Sequence, residues 1–379
     1  MRSRGLLALR FLLAARSSRL ALGSLLGSLA LCVTACDASP SPPEPGPSSP
    51  TPIAAHPASS AAAAGITSDA RPALHAADPP GPEHAAAPAA SLATPPSSAL
   101  APAATSATSA ETAASYPWLG DPSLAAAAPP PVDTLLARFP SPPPGFTRVD
   151  LAGGSFGAWL RHLPLAAPGT PVLRHSGGVI LPPDHRNLAA VVAIDIGQAD
   201  LQQCADAIIR LHAEWRWARG DRDLSYRAGA GIELPFDRWV RGERPVQRGE
   251  ALVWEPKTRS SPKDHPTFRG WLDGVFMWAN TGALAQQAQP VAVEQIAPGD
   301  FVVQPGTPGH AVLVVDVARA SDGRAALLLA QSFMPAQNVH VLRPSVDATW
   351  FVVSPDDQAL VTPFWKPFPW RWLRRFEQG

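Results

Sequence analysis

Residues 37 to 114 contain no Trp, Tyr or Phe, whereas all 12 tryptophans lie at or beyond Trp118. A stretch built from Ala, Pro, Ser, Thr and Gly cannot bury enough apolar surface to offset the entropy of ordering its backbone. It is expected to be a disordered tether. Its prolines keep it extended, with about 3.1 Å of reach per residue where polyproline conformations dominate. The chain's 45 prolines are densest in its first 145 residues, so composition divides it into two regimes. Folding is confined to residues 115 to 379, enough for one large core.

Ahead of the tether, Met1 to Arg19 carries Arg2, Arg4, Arg10, Arg16 and Arg19 with no acidic residue, and Leu20 to Val33 is largely apolar. This is the charge-then-apolar order of an export signal, and it is short for a spanning helix, which needs about 20 residues. The run ends at Val33-Thr34-Ala35-Cys36, which resembles the lipobox of bacterial lipoproteins. The resemblance implies that residues 1 to 35 are removed as a signal peptide. Cys36 then becomes the lipidated first residue, and 36 to 114 form the anchored tether. The expected location is the cell envelope, held to a membrane by lipid at Cys36 and facing the periplasm or the cell exterior.

The 31 basic and 31 acidic side chains balance, so no electrostatic footprint for nucleic acid exists. Lysine is confined to Lys257, Lys263 and Lys366. With Cys36 consumed by lipid, the mature chain keeps Cys204 alone and has no disulfide framework. It has no His-x-x-x-His or Cys-x-x-Cys pair, and Gly153-Gly-Ser-Phe-Gly157 lacks the lysine of a phosphate cradle. No metal and no cofactor is expected.

Within the folded part, Phe156 to Leu163, Leu173 to Leu181 and Leu188 to Ile196 read as strands, the last one buried. Asp200 to Arg219 reads as a helix, with Asp200 as N-cap and Gln203 completing a capping-box-like arrangement. Leu201, Cys204, Ile208, Leu211 and Trp215 make its apolar stripe. Asp206 with Arg210, and Arg210 with Glu214, are i,i+4 partners on its other side. A second helix is expected from Phe268 to Gln287. Phe301 to Val303, His310 to Val317, Ala325 to Ser332, Val339 to Leu342 and Trp350 to Val353 read as strands, with Asp322-Gly323 as a hairpin turn. The expected fold class is α+β with an antiparallel sheet in the C-terminal half. The tail Phe364 to Phe376 mixes aromatic and basic groups, and is expected to strap across the domain rather than sit at a membrane or grip a glycan.

Cys204 falls near the first turn of its helix, where unpaired NH groups and the helix dipole stabilise a thiolate. The same residue lies on the apolar stripe and reads equally as a buried core cysteine. His310 opens a strand, where it can serve as a general base. Symmetric pairing about residues 320 and 321 sets Gln331 opposite it in an orienting role; a turn centred on Asp322-Gly323 sets Pro335 there instead.

Gly299-Asp300-Phe301-Val302 with His310-Ala-Val-Leu-Val-Val resembles the histidine-strand signature of NlpC-type papain-like cysteine peptidases. The resemblance implies a papain-like core elaborated by an insertion between the cysteine helix and the histidine strand. In it Cys204 is the nucleophile, His310 the base and Gln331 the polar third residue. Gln203-Cys204-Ala205-Asp206 departs from the usual Asp-Cys-Ser of those enzymes. Residues 130 to 355 resemble more closely the bacterial family named domain of unknown function 4846, through Gln203-Cys204-Ala205-Asp206, Arg210-Leu211, Trp278-Ala279-Asn280-Thr281, Gly309-His310-Ala311-Val312 and Ala330 to Gln337. That family brings no established reaction.

A working thiol implies amide or ester hydrolysis, with backbone NH groups near Cys204 and the side chains of Gln202 or Gln203 supporting the oxyanion, and with Asp273 and Asn280 lining the cleft. Two functions follow: an envelope-anchored thiol amidase or peptidase acting on cell-wall peptides, or a noncatalytic lipoprotein that binds wall material or supports an envelope complex. Peptidoglycan or an envelope protein is the expected partner.

Overall fold

The computed structural model of the protein describes residues 112–377. The expected signal peptide, Cys36 and nearly all of the expected tether lie outside the described residues.

The fold is α+β, organised on a nine-stranded antiparallel sheet. Its path runs Leu188–Val191, His340–Leu342, Ala325–Gln331, His310–Ala320, Phe301–Gln304, Leu373–Phe376 and Ala288–Pro290. Phe146–Arg148 and Phe351–Val353 pair with the far ends of the two long central strands. Those central strands read as unbroken apolar runs because both faces are covered. On one face Ala311, Leu313 and Val315 pack with Ala205, Ile208, Trp271 and Leu284 of the helices. On the other, Val312 and Val314 pack with Leu360, Phe368 and Leu373 of the C-terminal segment.

The hairpin register differs from both sequence expectations. Leu313 faces Ala330, a bulge falls between Val314 and Asp316, and Arg319 faces Ala325. Gln331 therefore stands opposite Val312, diagonal to His310 on the same face. The bulge explains the offset, since its extra residue shifts the pairing by one partway along the strand. It also leaves Asp316 buried, where Arg148 and Arg161 bind it at 2.6 and 2.7 Å.

Several elements correct the sequence reading. Phe156 to Leu163 is not a strand: Phe156–Arg161 is a helix capped by Ser155, whose hydroxyl accepts from Ala158 N–H at 3.2 Å. Phe156, Leu160 and Leu163 bury one side of it, a spacing that fits period 3.6 as well as period 2 in so short a run. Leu173 to Leu181 is a small hairpin, Val172–Leu173 with Val179–Leu181, that turns through Gly177 at φ 85°. The helix expected from Phe268 to Gln287 is two, His265–Trp278 and Thr281–Gln286, separated where Asn280 caps the second. A hairpin of Glu243–Arg248 with Ala251–Pro256 was not anticipated. The aromatic tail is more than a strap, because Leu373–Phe376 enters the main sheet between Phe301–Gln304 and Ala288–Pro290. Among the described residues no helix is long and apolar enough to cross a membrane.

Candidate functional site

The cysteine helix spans Cys204–Ala218 and is capped by Gln203, not Asp200. Gln203 N–H donates to Asp206 at 3.1 Å, and its side-chain amide donates to Asp200 at 3.1 Å. Asp200 also accepts from Ala336 N–H at 2.6 Å, which ties the approach to the helix onto the loop after Gln331. Cys204 occupies the first helical position but is only 5% exposed. Burial pushes its thiol up to about 11, the charge of Asp206 adds to the rise, and the NH groups of Ala311, Ala205 and Cys204 itself offset only part of it. Burial also holds Asp206 at about 8, so at neutral pH that carboxyl is protonated and its charge is absent.

His310 lies on the other side of the sheet from that helix. Its ring packs against Phe333, Trp365 and Phe368 at centroid distances of 4.5, 5.0 and 5.9 Å. Its Nε2 is 2.9 Å from Gln331 Oε1, and the Gln331 amide lies 3.4 Å from His340 Nε2. His340 Nδ1 completes the row against Asn338 O at 2.9 Å. Burial lowers both imidazoles to about 4, which leaves them neutral. The structure thus brings His310 and Gln331 together, and no hydrogen bond joins Cys204 to either. The missing link has a simple origin: alternation along the strand sends Ala311 toward the cysteine helix and His310 away from it.

Gln202 and Gln203 are also occupied. Gln202 donates to Asp195 O at 3.1 Å and accepts from Arg210 at 3.1 Å. These contacts open onto the most polar feature of the domain, a relay of alternating charge under the helix. Arg210, fully buried, binds Asp195 at 2.8 Å and Glu214 at 2.8 Å. Glu214 reaches His265 at 3.0 Å. From Asp195 the relay continues to Arg269 at 3.4 Å, and Arg269 pairs with Asp273 one turn along its own helix. Burial alone would raise Asp195, but the charges of Arg210 and Arg269 outweigh it and hold the carboxyl below its usual range. The i,i+4 partners Arg210 and Glu214 are therefore core groups, because the helix is covered on all sides.

The relay surfaces in a cleft of about 730 Å³, where Asp195, Arg269 and Asp273 meet Arg174, His175 and Asn338. Gly197 bends over Arg269 at φ 82°, and a Cβ there would come within 2.7 Å of the guanidinium. Arg174 is exposed, and among the described residues its side chain has no ion-pair partner. Of the residues expected to line a cleft, Asp273 does. Asn280 does not; it is spent as a cap, accepting from Ala283 N–H at 2.8 Å. Sequence reading missed Asp195, Arg269 and His340. The one available signal was Asp195, a lone carboxylate inside the apolar run Val191-Val-Ala-Ile-Asp-Ile196, where burial demands a partner.

A family model described as a domain of unknown function (4846) matches residues 135–375. No curated protein matches the chain, and no solved structure does.

Proposed function

The chain belongs to the family described as domain of unknown function 4846, and on that premise we propose that it is a noncatalytic wall-binding lipoprotein of the cell envelope. Its ligand is a carboxylate-bearing wall peptide, held in the cleft beside the cysteine helix. The observation that carries this reading is the convergence of Arg174, Arg269 and Asp273 on one cleft of about 730 Å³, while the thiol is buried and, among the described residues, no hydrogen bond joins it to an imidazole. An unpaired guanidinium offers the fork geometry that matches a carboxylate. Asp273, with nearly half of its side chain exposed at 47%, offers an acceptor for a peptide amine or amide. A papain-like mechanism would need thiol and imidazole in near contact; this reading does without it, and gives Cys204 a packing role and the His310–Gln331–His340 row a structural one.

The test is calorimetric titration of the purified protein with a peptidoglycan stem peptide, alongside alkylation of Cys204 by iodoacetamide across pH. Binding is expected to weaken about 10-fold, roughly 1.4 kcal/mol, in Arg174→Gln and to stay unchanged in Cys204→Ser. Alkylation is expected to be slow at pH 7 and indifferent to His310→Ala. Absence of binding would refute the ligand. Rapid labelling near pH 6 that weakens in His310→Ala, or peptide cleavage lost in Cys204→Ser, would instead establish the thiol hydrolase.

A further inference from the structure

A second, smaller cavity of about 210 Å³ lies where the helix Phe156–Arg161, the turn Pro298-Gly299 and the C-terminal strand meet. It shares no lining residue with the peptide cleft. Two glycines let its walls approach closely. A Cβ on Gly157 would sit 2.8 Å from Pro298 O, and one on Gly299 would sit 2.9 Å from the Phe156 ring. Its volume is below the roughly 300 Å³ at which pockets for drug-sized ligands begin, so it admits one small group rather than a chain.

His212 forms its polar wall. The residue is 4% exposed, its ring stacks on Phe376 at 4.0 Å and 14°, and its Nδ1 lies 2.8 Å from the Tyr226 hydroxyl. That hydroxyl is buried and has no other partner among the described residues, so its hydrogen goes to Nδ1. The imidazole proton is thereby fixed on Nε2. Nε2 has no partner among the described residues and belongs to a side chain that lines the cavity, so the ring offers the cavity an N–H donor. Besides the Ser155 hydroxyl and the Arg375 guanidinium, the remaining side chains of the lining are apolar or carry acceptors. Phe156, Trp215 and Phe376 supply rings, and the exposed carboxylates of Asp150 and Glu377 stand among the other lining residues. Arg375 is neutralised by Asp300 at 2.5 and 2.8 Å.

These groups select by exclusion. The inward N–H repels a cation, and the two carboxylates disfavour an anion. The fitting group is uncharged, with a hydrogen-bond acceptor for Nε2–H and a methyl for the rings. The carboxylates then accept from hydroxyl groups at its edge. We propose that this cavity binds the acetamido group of an N-acetylated hexosamine, its carbonyl accepting from His212 Nε2–H and its methyl lying among Phe156, Trp215 and Phe376. The inference deepens the wall-binding reading and rests on it, adding a sugar site to a peptide site.

The test is saturation-transfer difference NMR on the full chain with N-acetylglucosamine, glucose, and N-acetylalanine methylamide as probes. N-acetylglucosamine is expected to show its strongest saturation at the acetamido methyl. The signal should fall at least several-fold in His212→Phe, which keeps a ring against Phe376 and removes the donor, and more mildly in Tyr226→Phe, which frees the tautomer. Glucose is expected to give no signal. Circular dichroism establishes that each variant is folded, and a folded His212→Phe with undiminished methyl saturation overturns the site. So does equal saturation of the methylamide, which would make the ligand a peptide. Failure here with stem-peptide binding intact removes only the sugar site, whereas loss of Arg174-dependent peptide binding removes the wall-binding reading itself.

Discussion

At the scale of single residues, the domain's chemistry is set by which charges are paired and which thiol is not. Arg210 is fully buried between Asp195, Glu214 and Gln202, so its contribution is measured by what its loss leaves behind. Arg210→Met fills much of the volume but takes the shared cation from two buried carboxylates, leaving Asp195 to Arg269 at 3.4 Å and Glu214 to His265 at 3.0 Å. Breaking a buried ion pair from one side costs about 3–5 kcal/mol, and urea denaturation is expected to show a loss of that size. An unchanged midpoint would mean that Arg269 and His265, or water, compensate both carboxylates in full. The sequence showed Arg210 and Glu214 as helix neighbours and could not show their depth, because an i,i+4 pair has the same spacing on a solvated face as in a core. Cys204 was open to both readings for the same reason. Its helix position favours a thiolate, its burial opposes one, and only the structure supplies the second quantity.

At the scale of elements, close approaches decide where the site residues stand. Gly309 precedes the histidine strand, and a Cβ there would collide with Thr281 Oγ1 and come within 2.8 Å of the carbonyl oxygens of Gln304 and Gly306. Gly309→Ala is expected to cost about 1–3 kcal/mol, the usual range for overpacking, read as a lowered melting temperature. Thr281→Ala in the same chain should restore only part of it, since the two backbone contacts remain; full restoration would place all of the strain on the threonine. The long central strands were legible because their apolar runs exceed any turn, and the cysteine helix because its stripe extends over several turns. Phe156–Arg161 was misread because six residues do not distinguish period 2 from period 3.6. The role of the tail was hidden because pairing of Leu373–Phe376 with Phe301–Gln304 joins segments about seventy residues apart, and nothing local specifies the partner. The same limit hid the cleft, whose walls come from Arg174, Asp195 and Arg269.

At the scale of the whole molecule, buried ionisable groups shape stability from both sides of neutrality. His212, His310 and His340 are lowered from 6.5 to about 3, 4 and 4, chiefly by burial. The unfolded chain takes up their protons first, so the stability they allow is full above pH 6.5 and is lost as pH falls toward 4. Asp206 works in the opposite sense. Burial raises it from 3.8 to about 8, so the folded state keeps a proton that the unfolded state has released. Stability from this group is complete below pH 4 and declines as pH rises through 8, by on the order of 5 kcal/mol in all. Three histidines outweigh one aspartate below pH 6.5; above it the aspartate sets the decline, and Cys204, raised by burial from 9.0 to about 11, joins it only as pH passes 9. A stability maximum is therefore expected between about pH 6 and 7, the interval bounded by the unperturbed imidazole. Asp206→Asn keeps an oxygen to accept the Gln203 N–H and removes the titration. Urea midpoints measured from pH 5 to pH 9 should then lose their alkaline decline and steepen on the acid side. An alkaline limb that survives the substitution would assign the decline to another group, and the buried proton at the head of the cysteine helix would no longer account for it.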